Sequence, residues 1–208
     1  MRLYRIPYST NVERVALALA HKGLGAEPVD VDPRERGPVR AVSGQALVPV
    51  LELDDGEVVA DSLAILRRLD ELRPDPPLFP RDRARREELE VFLDWFDAVW
   101  KVPPNAIDAE LGRLAPDRPR IARLGARTAG WRDRFEALLD GRDFLWGDAL
   151  GAGDLAAFPF LKYLAVPVGE ADADRFHAVL AEHLAAPAGA YPRLRGWIAR
   201  VDALPRTP

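Results

Sequence analysis

The sequence changes character near residue 77, and this change limits the possible folds more than any other feature. Before it, short runs with the alternation of β-strands are interspersed with runs at helical spacing; after it, nearly every apolar pattern has helical spacing. A chain of 208 residues has room for one large domain or two small ones. We therefore predict a mixed α/β domain over residues 1–75, a proline-rich linker over 76–80 and an all-helical domain over 81–208.

The first part of the chain carries signals for four strands and two helices. Strands are predicted at Arg2–Ile6, Pro28–Val31, Val50–Leu53 and Val58–Ala60. Helices are predicted over Val12–Lys22 and from Asp61-Ser62 to Leu72, with Leu63, Leu66, Leu69 and Leu72 facing inward. The first helix implies a parallel strand pair, and the Asp-Gly turn implies an antiparallel hairpin. Residues 33–44 are expected to be irregular, with room for one helical turn, so the predicted order is β-α-β, an irregular stretch, then β-β-α.

The second part reads as a bundle of amphipathic helices. Apolar residues from Leu89 to Trp100 follow helical spacing, and a similar stripe from Ile121 to Leu138 predicts an antiparallel partner. Three further helices are predicted around Asp154–Leu164, Ala173–His183 and Leu194–Leu204. No internal repeat is visible.

Composition excludes several classes of chemistry. With no cysteine, the chain has no disulfide, no thiolate metal site and no cysteine nucleophile, and its three histidines lack metal-ligand spacing. We therefore expect no metal. A net charge of −4 gives no overall electrostatic attraction for nucleic acid, and no apolar run approaches the length of a membrane span. No signal peptide is visible, so a cytoplasmic protein is expected.

These features together resemble the glutathione S-transferase family of the cytosolic type. They are a small mixed β/α domain without cysteine, a Val48-Pro49 step before a hairpin, an Asp61-Ser62 pair at the next helix start and an all-helical second part. The resemblance covers nearly the whole chain. It implies a thioredoxin-like amino-terminal domain that binds glutathione, followed by a helical substrate domain.

The turn before the first helix is the place where the resemblance implies catalysis. Ser9 matches the family position whose side chain hydrogen-bonds the sulfur of glutathione, five residues before Arg14, although Thr10 replaces the usual proline. A hydroxyl donor and a helix N-terminus favour a thiolate and lower the pKa of the thiol. Tyr8 has the same chemistry and is the runner-up. Thr10 and Glu13 fit a capping box, which is a purely structural interpretation of that pair.

Three further segments of the chain are implied to hold the peptide. Pro49 matches a proline that is cis in this fold, which would present the backbone of Val48 to a peptide-like ligand; an ordinary proline at a strand start is the alternative. Asp61 and Ser62 match the residues that hold the γ-glutamyl end, although both are also good N-caps. Gln45 could contact the ligand backbone, or it could be an ordinary loop residue.

In the helical part, Asp154 fits half of a capping box at the start of a central helix, with Gly151 at the position where relatives have a hydroxyl. We assign it a structural role. Trp95, Trp100 and Asn105 are candidate substrate-pocket residues, and core or interface positions are the alternative for the tryptophans.

The resemblance implies a transferase that activates the thiol of bound glutathione for attack on a small electrophile. A thiol-dependent isomerase of the same fold and a non-catalytic binding module remain open alternatives. An arginine-rich composition is typical of GC-rich genomes. If it indicates an actinobacterium, mycothiol or another small thiol could replace glutathione. A homodimer is implied by the family, and neither a nucleic acid nor a membrane is expected as a partner.

Overall fold

The computed structural model describes residues 1–170, 172 and 174–207. Two compact units make up this part of the chain: Met1–Glu87 with the described residues of Leu204–Pro208, and Glu88–Ala203. The carboxy-terminal residues return to the first unit, where the Thr207 amide donates to the Ala16 carbonyl at 3.0 Å and Arg206 pairs with Glu13. The predicted domain limits at residues 75 and 81 remain predictions.

The first unit is a thioredoxin-like β/α unit with a four-stranded mixed sheet, as predicted. Strands β1 (Arg2–Arg5), β2 (Glu27–Asp30), β3 (Val50–Glu52) and β4 (Val58–Ala60) lie in the order β2-β1-β3-β4. The pair β1 and β2 is parallel, and both β1 with β3 and β3 with β4 are antiparallel. The parallel crossover and the antiparallel hairpin are therefore confirmed.

Helices cover this sheet. The unit contains α1 (Thr10–Lys22), α2 (Gly37–Ser43) and α3 (Ser62–Leu72). In α1 the stripe of Val12, Val15 and Leu19 is buried, and Gly23 ends the helix at φ 59°, a conformation that suits glycine. Helix α3 contacts β3 and β4.

Two predictions for this unit are wrong. Residues 37–43 form a helix of seven residues rather than a single turn, because Pro38 lies in its first turn, where a missing N–H leaves no intrahelical bond unmade. Val39 of that helix is fully buried in a core cluster with Tyr4 and Val50. Leu72 was expected to face inward, but it is 44% exposed at the end of α3.

A buried lysine ties the ends of α1 and α3 together. Lys22 is 1% exposed, and its Nζ donates to Asp70 Oδ1 at 2.5 Å, to the Arg73 carbonyl at 2.7 Å and to the Pro76 carbonyl at 2.5 Å. All three ammonium donors are satisfied, which is the condition for burying this charge.

The second unit is helical. Helix α4 (Arg83–Trp95) continues into a π-helical segment, Phe96–Trp100, and α5 (Val102–Leu111) follows, a helix for which the sequence analysis had no prediction. The predicted antiparallel partner is divided into α6 (Arg118–Ala129) and α7 (Arg132–Leu138). The remaining helices are α8 (Ala152–Leu161), a 3₁₀ turn at Lys162–Leu164, α9 (Arg175–Leu184) and α10 (Pro192–Asp202). Ala173, the predicted start of α9, lies outside the described residues.

Helix α8 is the centre of this unit, because every one of its residues is buried. An aromatic cluster lies between α8 and the α4 segment: Phe96 stacks on Trp100 at 4.6 Å and meets Phe160 edge-on at 5.6 Å. No helix in the described part of the chain is both long and apolar enough to cross a membrane.

Candidate functional site

The sheet register brings three loop segments to one end of the sheet. Tyr4 of β1 lies opposite Val50, the first residue of β3, and Val50 lies opposite Ala60, the last residue of β4. The chain therefore leaves β1, enters β3 and leaves β4 at the same end. The segments found there are Tyr8–Thr10, Val48–Pro49 and Asp61–Ser62.

Ser9 begins helix α1. It is the N-cap residue, because its carbonyl accepts the first bond of the helix from the Glu13 amide at 3.0 Å. Its hydroxyl makes no capping bond. Half-buried Ser9 thus carries a hydroxyl that caps no backbone amide, at the N-terminus of a thirteen-residue helix. Tyr8, the runner-up, is 50% exposed.

The predicted capping box of Thr10 and Glu13 is wrong, because Ser9 and not Thr10 is the N-cap residue. Thr10 is the first helical residue rather than the N-cap, and it is 7% exposed. In a capping box the hydroxyl that accepts from the N3 amide belongs to the N-cap residue, and Thr10 lies one residue beyond that position. The Glu13 carboxylate contacts Arg206, with Oε1 3.0 Å from Nη2.

The Val48–Pro49 peptide bond is cis, as the resemblance implied. Pro49 is buried, Val48 is half-buried, and Leu47 before them is 73% exposed. Gln45 holds this loop from within: its Nε2 donates to the Leu47 carbonyl at 2.9 Å, and its Oε1 accepts from the Leu47 amide. Both ends of the Gln45 side chain are therefore engaged by the loop itself.

Asp61 is the N-cap of α3. Its Oδ1 accepts from the Leu63 amide at 2.9 Å and from the Ala64 amide at 3.1 Å, while Oδ2 has no partner among the described residues. The backbone of Asp61 has φ 82°, a region that favours glycine and that costs other residues about 1–3 kcal/mol. Such strain is found most often at ligand sites, and Asp61 is exposed.

Ser62 follows as the first residue of α3 and is 3% exposed. Its Oγ accepts a hydrogen bond from Arg14 Nη1 at 3.1 Å. Because the arginine supplies that proton, the Ser62 hydroxyl can donate its own proton elsewhere. The arginine is completely buried in α1, so a full positive charge lies beside the N-terminus of α3.

The three candidate substrate residues of the second unit have different environments. Trp100 is completely buried, and its Nε1 has no hydrogen-bond partner within the described chain, so it is a core residue. Asn105 is exposed, and its Nδ2 donates to the Lys101 carbonyl at 2.8 Å. Trp95 is half-buried and lines a cavity of about 730 Å³, in T-shaped contact with Trp131 at 5.6 Å.

Asp154 lies in the first turn of α8 and is completely buried. Its Oδ2 accepts from the Gly151 amide at 3.0 Å, which is the surviving half of the capping box. Its Oδ1 accepts from the Leu145 amide and from Trp197 Nε1, each at 2.8 Å. Burial raises the pKa of this carboxyl to about 6 in spite of the three donors, which lower it.

Comparison with known proteins decides the family. The family model described as "Glutathione S-transferase, N-terminal domain" matches residues 3–77, and the model described as "Glutathione S-transferase, C-terminal domain" matches residues 127–205. These two matches cover well over half of the chain. The chain belongs to the glutathione S-transferase family.

Individual relatives agree with this result. Glutathione S-transferase F10 of Arabidopsis thaliana is 30% identical over 177 residues, which are 79% of this chain and 81% of that protein. Maleylacetoacetate isomerase of Pseudomonas aeruginosa is 39% identical over 92 residues, 41% of this chain and 43% of that one. A crystal structure of a glutathione S-transferase from Rhodospirillum rubrum F11 has a TM-score of 0.75 at 27% identity, covering 98% of this chain and 88% of that one.

Arg14 of this glutathione S-transferase fold has a structural role that was not predicted from the sequence. Arg14 was used only as a marker of position, yet it is buried and bonded to Ser62. The signal was present, because Arg14 lies between the buried positions Val12 and Val15 of an amphipathic helix. A charged residue next to such positions calls for a buried partner.

Proposed function

We propose that this protein binds glutathione or a similar thiol on its first unit and stabilises the thiolate for attack on a small electrophile. The observation that carries the proposal is the hydroxyl of Ser9, which makes no capping bond and lies at the N-terminus of α1, at the end of the sheet shared with Val48 and Ser62. Donation from that hydroxyl to sulfur, together with the helix dipole, favours the anion over the thiol.

The peptide part of the ligand would be held by backbone and side-chain groups around this hydroxyl. The Val48 backbone beside the cis bond would pair with the cysteinyl residue, as in the resemblance. Ser62 would donate its hydroxyl proton to the γ-glutamyl carboxylate, and the free Oδ2 of Asp61 would accept from the ammonium. Gln45 would act only by shaping the loop, because its amide is already engaged.

In the reaction, the thiol proton leaves to solvent and the thiolate forms a carbon–sulfur bond with the electrophile. A free thiol has a pKa of about 8.5, so only a few per cent is ionised at neutral pH. One hydrogen bond to a charged group is worth about 1.5–3 kcal/mol, equivalent to between about one and two pKa units. This is enough to make the thiolate a major species at neutral pH.

Titration calorimetry with glutathione tests binding. We choose heat over tryptophan fluorescence because all five tryptophans lie in the second unit. We expect Ser62→Ala to weaken binding about tenfold, since it removes a donor to a charged carboxylate. Absence of saturable binding at millimolar glutathione would refute the proposal for glutathione, and the same titration with mycothiol would test the other thiol.

Ultraviolet absorbance of the thiolate against pH tests activation. Ser9→Ala should raise the pKa of the bound thiol by at least about one unit and leave affinity nearly unchanged. Tyr8→Phe is the matched control and should leave that pKa where it is. The reverse result would transfer the role to Tyr8.

A thiol-dependent isomerase is the second candidate, favoured by the similarity to maleylacetoacetate isomerase. There the sulfur would add to a carbon–carbon double bond, the carbon–carbon bond would rotate, and elimination would return the thiol. Isomerisation consumes no thiol, whereas conjugation consumes one for each product. Thiol binding without either reaction in a panel of electrophiles would favour a non-catalytic module. We also propose a homodimer, which light scattering tests.

A further inference from the structure

We propose that Arg206, near the carboxy terminus, is a positioning residue for the thiolate site, because it neutralises a carboxylate that lies one helical turn from Ser9. That carboxylate belongs to Glu13 of α1. Arg206 and Glu13 both belong to the first compact unit, so the pair forms within one unit. This role rests on the proposed function, which makes Ser9 the partner of the sulfur.

Helix geometry places the Glu13 side chain at the same end of α1 as Ser9. The Glu13 amide donates to the Ser9 carbonyl at 3.0 Å, so Glu13 lies one turn after the N-cap. Side chains of an α-helix tilt towards its N-terminus, and residues four apart share a face. The Glu13 side chain is only 15% exposed, so water and salt screen its charge less than they would at the open surface.

The charge of Glu13 by itself would oppose a thiolate at Ser9. The positive end of the helix dipole favours an anion there, whereas a second negative charge in the first helical turn repels it. For charges this close and near a protein surface, the repulsion raises the pKa of a thiol by on the order of one unit. It would therefore offset much of what the hydroxyl donor contributes.

The carboxy-terminal residues bring a guanidinium to this carboxylate. Arg206 Nε and Nη2 donate to Glu13 Oε1 at 3.1 and 3.0 Å, so two donors converge on one oxygen. Nη1 of the same guanidinium donates to the Leu204 carbonyl at 2.9 Å. The Thr207 amide donates to the Ala16 carbonyl at 3.0 Å. Glu13 and Ala16 are three residues apart on α1, so the segment is held at two points along one face of the helix.

An arginine suits this role because its guanidinium stays charged at every pH at which a thiol titrates. The buried Arg14 and the exposed Asp61 also carry charge at this end of the sheet, and Tyr8 is a further titratable group there. None of these three residues is changed in the variants below. Differences between those variants therefore report the pair of Glu13 and Arg206.

The variant S9C measures the electrostatic field at this position without any bound ligand. The natural chain has no cysteine, so the thiol that S9C introduces is the only one present. Its pKa follows from the rate of alkylation by iodoacetamide against pH, measured by mass spectrometry. Adding R206A should raise that pKa by about half a unit to one unit, because Arg206 no longer offsets the charge of Glu13. Adding E13Q instead should lower it, because the negative charge is removed and the positive charge stays.

Two combinations separate charge from structure. In S9C/E13Q/R206A both charges are absent, so the thiol pKa should return close to that of S9C. In S9C/R206K the positive charge is retained, and the pKa should again be close to that of S9C. A contact that only fastened the chain end would be broken by either single change, so R206A and E13Q would then shift the pKa in the same direction.

R68A in the S9C chain is the matched control. Arg68 Nη2 lies 2.7 Å from Glu57 Oε2, and the Arg68 side chain is 28% exposed, against 31% for Arg206. Glu57 directly precedes β4, whereas the site follows the last residue of that strand. R68A removes the same charge from a similar ion pair at the far end of the sheet, so the thiol pKa should not change.

Two results would overturn the proposal: an unchanged thiol pKa in S9C/R206A, or a change of the same sign with R206A and with E13Q. Circular dichroism of each variant checks that the fold is intact. The glutathione titration is separate, because S9C needs no ligand. If the natural chain binds glutathione with a lowered thiol pKa that R206A leaves unchanged, only the role of Arg206 fails. If S9C responds as expected and the natural chain binds no glutathione, only the proposed function fails.

Discussion

Acidification should strengthen the contribution of Asp154 to stability, although acid destabilises most proteins. The pKa of its buried carboxyl is raised to about 6 from 3.8. Between those values the folded state binds more protons than the unfolded state, so the stability from this group falls as pH rises through the window. The difference of about 2 pKa units corresponds to about 3 kcal/mol when the whole window is crossed.

The substitution Asp154→Asn isolates this effect. An asparagine oxygen can still accept from the Leu145 amide and from Trp197 Nε1, whereas its NH₂ group would face the Gly151 amide. Leaving the Gly151 amide unsatisfied lowers the free energy of unfolding by about 1–3 kcal/mol. Removing the buried charge raises it by a similar amount at pH 7. We therefore expect the variant and the natural chain to have nearly equal stability at pH 7.5.

At pH 4.5 the two proteins should differ. The natural chain then carries a protonated Asp154 and should gain about 2 kcal/mol relative to the variant. Urea unfolding followed by far-ultraviolet circular dichroism at several pH values measures this difference. The other carboxylates titrate in both proteins, so their contributions to the pH dependence cancel in the difference between the two. A difference that does not change with pH, or that shrinks on acidification, would mean that the three donors outweigh burial, and it would refute the reasoning.

Two further predictions concern the remaining fold. Lys22→Met should lower the free energy of unfolding by about 3–5 kcal/mol, because it leaves a carboxylate and two carbonyls without their buried donor; Arg83→Ala, which breaks an exposed pair, should cost less than about 1 kcal/mol. Gly196→Ala should stabilise α10 by about 0.5–1 kcal/mol, since nothing lies near the added Cβ, whereas Gly125→Ala in α6 should destabilise by about 1–3 kcal/mol because its Cβ would meet the His183 ring. Thermal unfolding checks each pair, and equal effects within a pair would contradict these arguments.

Local signals predicted much of the fold. The Asp-Gly turn, the glycine after α1 and the Asp61 cap act on the few residues around them, and each has the predicted effect in the structure. The same kind of signal failed at Pro38, because a proline that interrupts one helix can also begin another. It failed at Thr10 because the helix begins one residue earlier than the pattern indicated, with Ser9 at the N-cap position.

The candidate site was predicted less completely than the fold. Ser9, Val48 and Ser62 were named from resemblance, and their proposed roles await the titrations above. Trp100 was a pocket candidate and is a core residue, because a tryptophan at the edge of an apolar stripe can face either side. The cavity lined by Trp95 and Trp131 was not predicted, since it is formed by residues of separate helices and no local pattern in a sequence indicates which helices approach one another.

The sequence by itself determined the two unlike parts of this protein, the parallel pair of β1 with β2, the hairpin of β3 with β4 and the absence of any thiol of its own, because these depend on composition and on segments that are close in the chain. The tertiary structure decided which distant groups meet. Arg14 and Ser62 are 48 residues apart in the chain and 3.1 Å apart in space. The register of three strands brings the loop segments to one end of the sheet, and residues of α4, α6 and α7 together line an aromatic cavity. Such contacts arise from burial and pairing across the whole unit, which no local pattern records.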